Sequence, residues 1–252
     1  MILVDVHAHI DSFKESEIKN VISRAVNNEV KVIINNGIDK ETNRKTIELS
    51  NKYKIIKPAL GLHPEFIEKF DDKIIEEEID FIKEYKNKIV AIGEIGLDFH
   101  WVKNVELRKK QEELFKEFLL LAKKIKKPVI VHSREAETET LRIIEELGLN
   151  NVVMHCFGGN LELVDKIIKN KFYVSIPPII VRSSHFQDIV KKVPLSHILT
   201  ETDAPWLSPF KDKKNEPSFV VETIKKISEI KKLSQEEVAN NIFLNYQRVF
   251  LS

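Results

Sequence analysis

The sequence predicts an α/β chain folded as a (β/α)8 TIM barrel with closing helices at its C-terminal end. Three observations point there. Short runs rich in Val and Ile alternate eight times with longer amphipathic stretches. The runs are continuously apolar rather than alternating, as expected of a parallel sheet covered on both faces. Eight such units in 252 residues match the size of one barrel. An open doubly wound sheet is the competing arrangement, and it suits eight units less well.

The strands are expected at residues 2–7, 30–35, 55–61, 89–95, 128–132, 151–157, 172–176 and 197–203. Between them lie charged segments with apolar residues at helical spacing. In 108–127, for example, Leu114, Phe118, Leu121 and Ile125 fall on one face. Residues 217–251 read as one or two closing helices, with Ser234 opening a capping box that ends at Glu237. Glycines number only seven, and no linker, repeat or low-complexity tract interrupts the pattern, so residues 1–252 are expected to form one domain.

Composition narrows the function. Lys plus Arg number 40 against 39 acids, which argues against nucleic-acid binding by bulk charge but permits a local basic rim. A single cysteine, Cys156, precludes an internal disulfide framework and a CxxC zinc ribbon. No apolar run approaches membrane-spanning length, and MILVDVHAHID lacks the basic region and cleavage site of a signal peptide. A cytoplasmic protein with no obligate protein partner is the expectation.

Polar residues gather at the strand ends. His7 and His9 follow the first strand, on the same face because strand side chains alternate. An isolated pair of this kind can chelate a metal or simply hydrogen-bond in a polar core. Glu94 ends the fourth strand, His132 the fifth, His155 the sixth and Asp203 the eighth. In a barrel these ends meet at one mouth, where the active site lies. Six unpaired donors crowded there would cost several kcal/mol each, and divalent cations remove that cost. The set suits Zn²⁺, Mn²⁺, Co²⁺ or Fe²⁺, with Mg²⁺ accommodated when oxygens complete the shell. Six donors exceed the needs of one catalytic ion, so two ions sharing a carboxylate are expected, with Glu94 the best bridge.

Asp203 can hold metal with one oxygen and accept a water proton with the other, or act as a ligand alone. Glu201 is either an acceptor behind a ligand or an ion-pair partner inside the barrel. His63 follows the third strand at the same mouth and either faces a bound substrate or packs against Pro64. Arg134 faces the mouth or pairs with Glu135, and His100 and Trp101 lie in the loop beyond Glu94. Lys103, Lys211, Lys213 and Lys214 could form the basic rim, whereas residues 123–127 belong to the opposite face. Cys156 reads as a buried, inert thiol.

Together DVHAHID, GLHPEF (61–66), GEIGLDFH (93–100), VHSREA (131–136), MHCFGG (154–159), TETDAPWLSP (200–209) and NEP (215–217) resemble the TatD family of metal-dependent deoxyribonucleases, a branch of the amidohydrolase superfamily. The resemblance implies a barrel hydrolase that cuts DNA phosphodiester bonds with divalent metal, often Mg²⁺, acting on single strands or ends. It implies that His7, His9 and Asp203 hold one ion, His132 and His155 a second, and that Glu94 bridges them. With such a substrate, His63 is assigned to the scissile phosphate or leaving group, Arg134 can clamp a phosphate, and His100 and Trp101 can stack on an unpaired base or merely cover the core. Two departures touch substrate preference: Pro177 and Pro178 follow the seventh strand, and Lys214 rather than Arg precedes NEP. Hydrolysis of an aminoacyl ester, amide or lactone is the alternative activity, and a non-catalytic metal barrel a third.

Overall fold

The structure, a computed structural model, describes residues 1–251. Eight strands form one parallel sheet in chain order: β1 Leu3–Ala8, β2 Val30–Asn36, β3 Ile56–Leu60, β4 Ala91–Asp98, β5 Val129–Arg134, β6 Val152–His155, β7 Tyr173–Ile176 and β8 Ile198–Thr200. The seam between β8 and β1 is drawn together by side chains as well as backbone. Thr200 Oγ1 donates to Val4 O at 2.7 Å, Asp203 N to His7 O at 2.8 Å, and the buried Asp5 carboxylate accepts from Thr202 N at 2.9 Å. The result is the expected (β/α)8 barrel.

Seven helices connect successive strands: α1 Glu15–Asn27, α2 Lys40–Lys52, α3 Asp72–Glu84, α4 Val105–Ile125, α5 Glu137–Leu147, α6 Leu161–Lys169 and α7 Ser184–Lys192. Each lays an apolar stripe on the sheet. In α4, Leu114, Phe115, Phe118, Leu119 and Leu121 are buried, and Asn104 caps the first turn by accepting from Glu106 N and Leu107 N. The chain closes with α8 Val220–Lys231 and α9 Gln235–Phe250, the latter started by the predicted Ser234–Glu237 capping box. No helix among the described residues is long and apolar enough to cross a membrane.

The strand ends differ from the sequence expectation in an informative way. β6 stops at His155, where Cys156 (φ 43°) adopts left-handed backbone, and β8 stops at Thr200, beyond which Thr202 N turns to the Asp5 carboxylate and Asp203 is left-handed (φ 56°). β4 and β5 instead continue to Asp98 and Arg134.

Two glycines beside Glu94 permit close approach of neighbouring backbones. A Cβ on Gly61 would lie 2.5 Å from the Glu94 carbonyl oxygen, and one on Gly96 would lie 2.0 Å from His132 O at a φ of +146°. Gly96→Ala is therefore expected to cost about 2–4 kcal/mol of stability through strain and backbone displacement. Urea denaturation checks this; an unchanged midpoint would contradict it.

Candidate metal centre

The barrel mouth brings all six predicted donors together. β1 carries His7 and contributes His9 just beyond its end, while β4 supplies Glu94 from its middle. His7 Nε2 and His9 Nε2 stand 3.1 Å apart, and Glu94 Oε2 lies 3.3 and 3.4 Å from them. Asp203 Oδ1 is 3.7 and 3.6 Å from the same two nitrogens. The other carboxylate oxygen, Glu94 Oε1, faces His132 Nδ1 at 3.0 Å and His155 Nε2 at 3.6 Å. One carboxylate thus divides its two oxygens between two donor sets.

These spacings suit a cation. Donors about 2.0–2.1 Å from a common ion stand roughly 3.0–3.4 Å from one another in octahedral or tetrahedral shells. Nitrogens with facing lone pairs repel at such separations unless positive charge lies between them. Unpaired buried atoms concentrate here as well: His7 Nδ1, Glu201 Oε1, Asn36 Oδ1 and Ser133 Oγ lack hydrogen-bond partners among the described residues. That concentration fits a centre completed by a bound group.

Surrounding acceptors orient the imidazoles. His9 Nδ1 donates to the Asn36 carbonyl at 2.9 Å, which can only accept, so its Nε2 turns a lone pair to the site. His155 Nδ1 donates to Glu201 Oε2 at 2.9 Å, with the same consequence; Ser175 Oγ holds that carboxylate oxygen. His132 places Nε2 against Asp98 Oδ2 at 2.9 Å, leaving Nδ1 for the cluster. The His7 ring stacks on His155 at 3.7 Å.

His63 differs. Its Nδ1 accepts from Glu65 N at 3.2 Å, so the ring proton is on Nε2, which lies 3.3 Å from Glu94 Oε1. It therefore turns an N–H, rather than a ligand lone pair, toward the Glu94 carboxylate at the wall of the cleft. Arg134 lines the same cleft, its guanidinium 5.5 Å from the Trp101 ring centre. The alternative pairing with Glu135 does not occur: that carboxylate takes His100 and Lys103.

The expected basic rim is not built. Lys103 is paired with Glu135, Lys213 lies over Phe210, and Lys214 borders a separate cleft with Glu17, Arg24 and Glu216. Lys211 is exposed and does not line the mouth. The lysines face outward because the segment after β8 is anchored by Asn215, which donates to Thr202 O at 2.6 Å. The residue missed in sequence was Asp98, which strand alternation places on the Glu94 face through Gly96. Cys156 is half-buried, and burial together with Glu201 and Asp203 pushes its thiol upward, away from reactivity.

The metal-free centre holds protons where cations would stand. Burial alone would raise Glu94, but the surrounding imidazoles, led by His63 and His7, hold it well below the carboxylate range. Burial lowers His9, yet Glu94 and Asp203 more than offset it and lift it to about 9. His132 reaches about 9 against the same burial through Asp98 and Glu94, and His155 about 8 through Glu201. Burial lifts Asp203 to about 6.

Raised groups stabilise the fold at pH values below their unfolded pKa and lose that contribution as pH climbs through the folded one. Between the ordinary histidine value of 6.5 and about 9, the metal-free protein is expected to lose thermal stability. Mn²⁺ is expected to restore most at the alkaline end, where fewer protons compete for the imidazoles. Melting curves with chelator and with Mn²⁺ across this range check it; a flat or rising metal-free curve would contradict it.

Comparison with known proteins finds relatives described as metal-dependent hydrolases. The family described as TatD related DNase matches residues 4–251. A Methanocaldococcus jannaschii protein, MJ1582, described as an uncharacterized metal-dependent hydrolase, is 38% identical over 249 residues, covering 98% of this chain and 96% of its own. The similarly described YabD of Bacillus subtilis is 35% identical over 257 residues and 98% of both chains. Human deoxyribonuclease TATDN3 is 31% identical over 258 residues, 98% of this chain and 94% of its own. The crystal structure of YJJV, a TatD homolog from Escherichia coli, superposes with a TM-score of 0.91 at 28% identity, over 99% of this chain and 98% of that one.

Proposed function

The chain belongs to the TatD-related DNase family of metal-dependent hydrolases, and from that premise we propose that it hydrolyses phosphodiester bonds of DNA, at single strands or free ends. The observation that carries this reading is the division of Glu94 between two donor sets, Oε2 toward His7 and His9 and Oε1 toward His132 and His155. The donors fit two divalent cations: His7, His9 and Asp203 would hold one and His132 and His155 the other, with Glu94 shared. Four imidazoles suit Mn²⁺ or Zn²⁺ by donor type, and the family resemblance implies Mg²⁺. When bound, such ions supply charge that acidifies a water and offsets the charge of a phosphate.

The chain's own groups supply the remainder. Arg134 would grip a non-bridging phosphate oxygen, and His63, which lines the cleft beside Glu94, would offer its Nε2–H to a phosphate or leaving oxygen. Attack forms a bond from the water oxygen to phosphorus as the bond to the leaving oxygen breaks. Asp203 accepts the water's proton, the Nε2–H of His63 can hydrogen-bond the leaving oxygen, and that oxygen takes its proton from solvent, giving a phosphomonoester and an alcohol.

The test is cleavage of single-stranded DNA labelled at one end or the other, by metal-stripped protein with and without Mg²⁺, Mn²⁺ or Zn²⁺. Metal-dependent shortening supports the proposal, and the two labels reveal the polarity. Intact DNA with every metal would overturn it and turn attention to ester, amide or lactone substrates at the same centre.

A further inference from the structure

The chain has two tryptophans, and both stand exposed on the rim of this cleft. Trp101 is 58% exposed and Trp206 50%, which for so large an apolar ring leaves a face open to a partner. Each sits three residues after an aspartate, Asp98 at the end of β4 and Asp203 just beyond β8, and is pinned to it. Trp101 N donates to Asp98 Oδ1 at 2.7 Å, and Trp206 N to Asp203 O at 2.8 Å. Trp101 follows β4 and Trp206 follows β8, half a turn apart in a barrel whose strands run in order from β1 to β8. The two rings therefore bracket the donor cluster from opposite lips. Trp206 meets the His9 ring edge-on at 5.2 Å, while Arg134 sits against Trp101.

Building on the proposed DNA hydrolysis, we infer that Trp101 and Trp206 are stacking surfaces for unpaired bases on either side of the scissile phosphate, which makes an unstacked single strand the required substrate. The cleft, about 550 Å³, is small, and its floor is deep: Glu94 is 3% exposed and His7 not at all. A base covers a tryptophan face only after losing its own stacking neighbour, so the exposed rings favour an unpaired strand. Apart from any bound cations, Arg134 is the one Arg or Lys lining the cleft among the described residues, so the hold on the strand outside the scissile phosphate falls largely to the two rings.

Because both tryptophans are here, the intrinsic tryptophan fluorescence of the protein reports this mouth alone. The experiment titrates the metal-loaded protein with a short oligothymidylate and with an abasic strand of equal length and charge, reading stopped-flow amplitudes before turnover. Trp101→Phe and Trp206→Phe isolate each reporter, and Trp101→Ala and Trp206→Ala measure each contribution. The expected result is quenching of both reporters by oligothymidylate and little by the abasic strand. Each Ala variant should bind oligothymidylate about 5- to 150-fold more weakly. Equal quenching by both strands, or response from one tryptophan alone, would overturn the two-sided clamp. DNA cleavage without quenching would overturn the clamp and leave the nuclease reading standing. No cleavage and no quenching would overturn both.

Discussion

Asp203→Asn is expected to lower the hydrolytic rate by about 10²- to 10⁴-fold with the fold intact. Asn keeps the shape of the side chain and tolerates the left-handed backbone at φ 56°, so the loop after β8 should survive. What disappears is a carboxylate whose Oδ1 stands 3.6–3.7 Å from His9 and His7 and which can take a proton from water. Single-turnover rates over a range of Mn²⁺ concentrations, beside metal content by mass spectrometry, divide its two roles. A deficit that persists at saturating metal marks the proton acceptor, whereas one abolished by added metal marks a ligand alone. A rate within tenfold of the parent at every concentration would remove Asp203 from the mechanism.

Glu94→Gln should produce the largest loss of metal. Replacing an orienting acceptor behind a ligand typically costs about 10- to 100-fold in affinity, and removing a charge shared by both donor sets is expected to exceed about 100-fold. The amide also turns an N–H₂ group toward imidazole lone pairs on one side or the other. Competition with a chromophoric chelator measures the affinity and the stoichiometry, which should fall below two ions. In the metal-free variant, His9 and His132, now near 9, are expected to titrate closer to the ordinary histidine value, because Glu94 is a principal source of their upward shift. Imidazole NMR signals follow this directly. Unchanged metal affinity would sink the assignment of Glu94 as the bridge.

Much of the architecture was legible because it is written locally. Val- and Ile-rich runs, helical spacing and the Ser234–Glu237 box act within a few residues of chain, and each appears in the structure where that pattern places it. The same locality explains the errors. Apolar periodicity carries β8 on to 203, whereas the strand ends at Thr200 because Thr202 turns to the Asp5 carboxylate of β1, a contact from the far end of the chain. The lysines after β4 and β8 were assigned to the cleft by their loops, yet Glu135 captures Lys103 and Asn215 anchors the segment beside Lys214.

The sequence by itself determined the barrel and the placing of His7, His9, Glu94, His132, His155 and Asp203 at one end of it, since strand period and chain order suffice for both. Tertiary structure alone decided which nitrogen each histidine turns inward. His9 depends on Asn36 O, 27 residues away; His132 on Asp98, 34 away; His155 on Glu201, 46 away. A tautomer is chosen by the atom facing the far side of the ring, and that atom arrives from another strand.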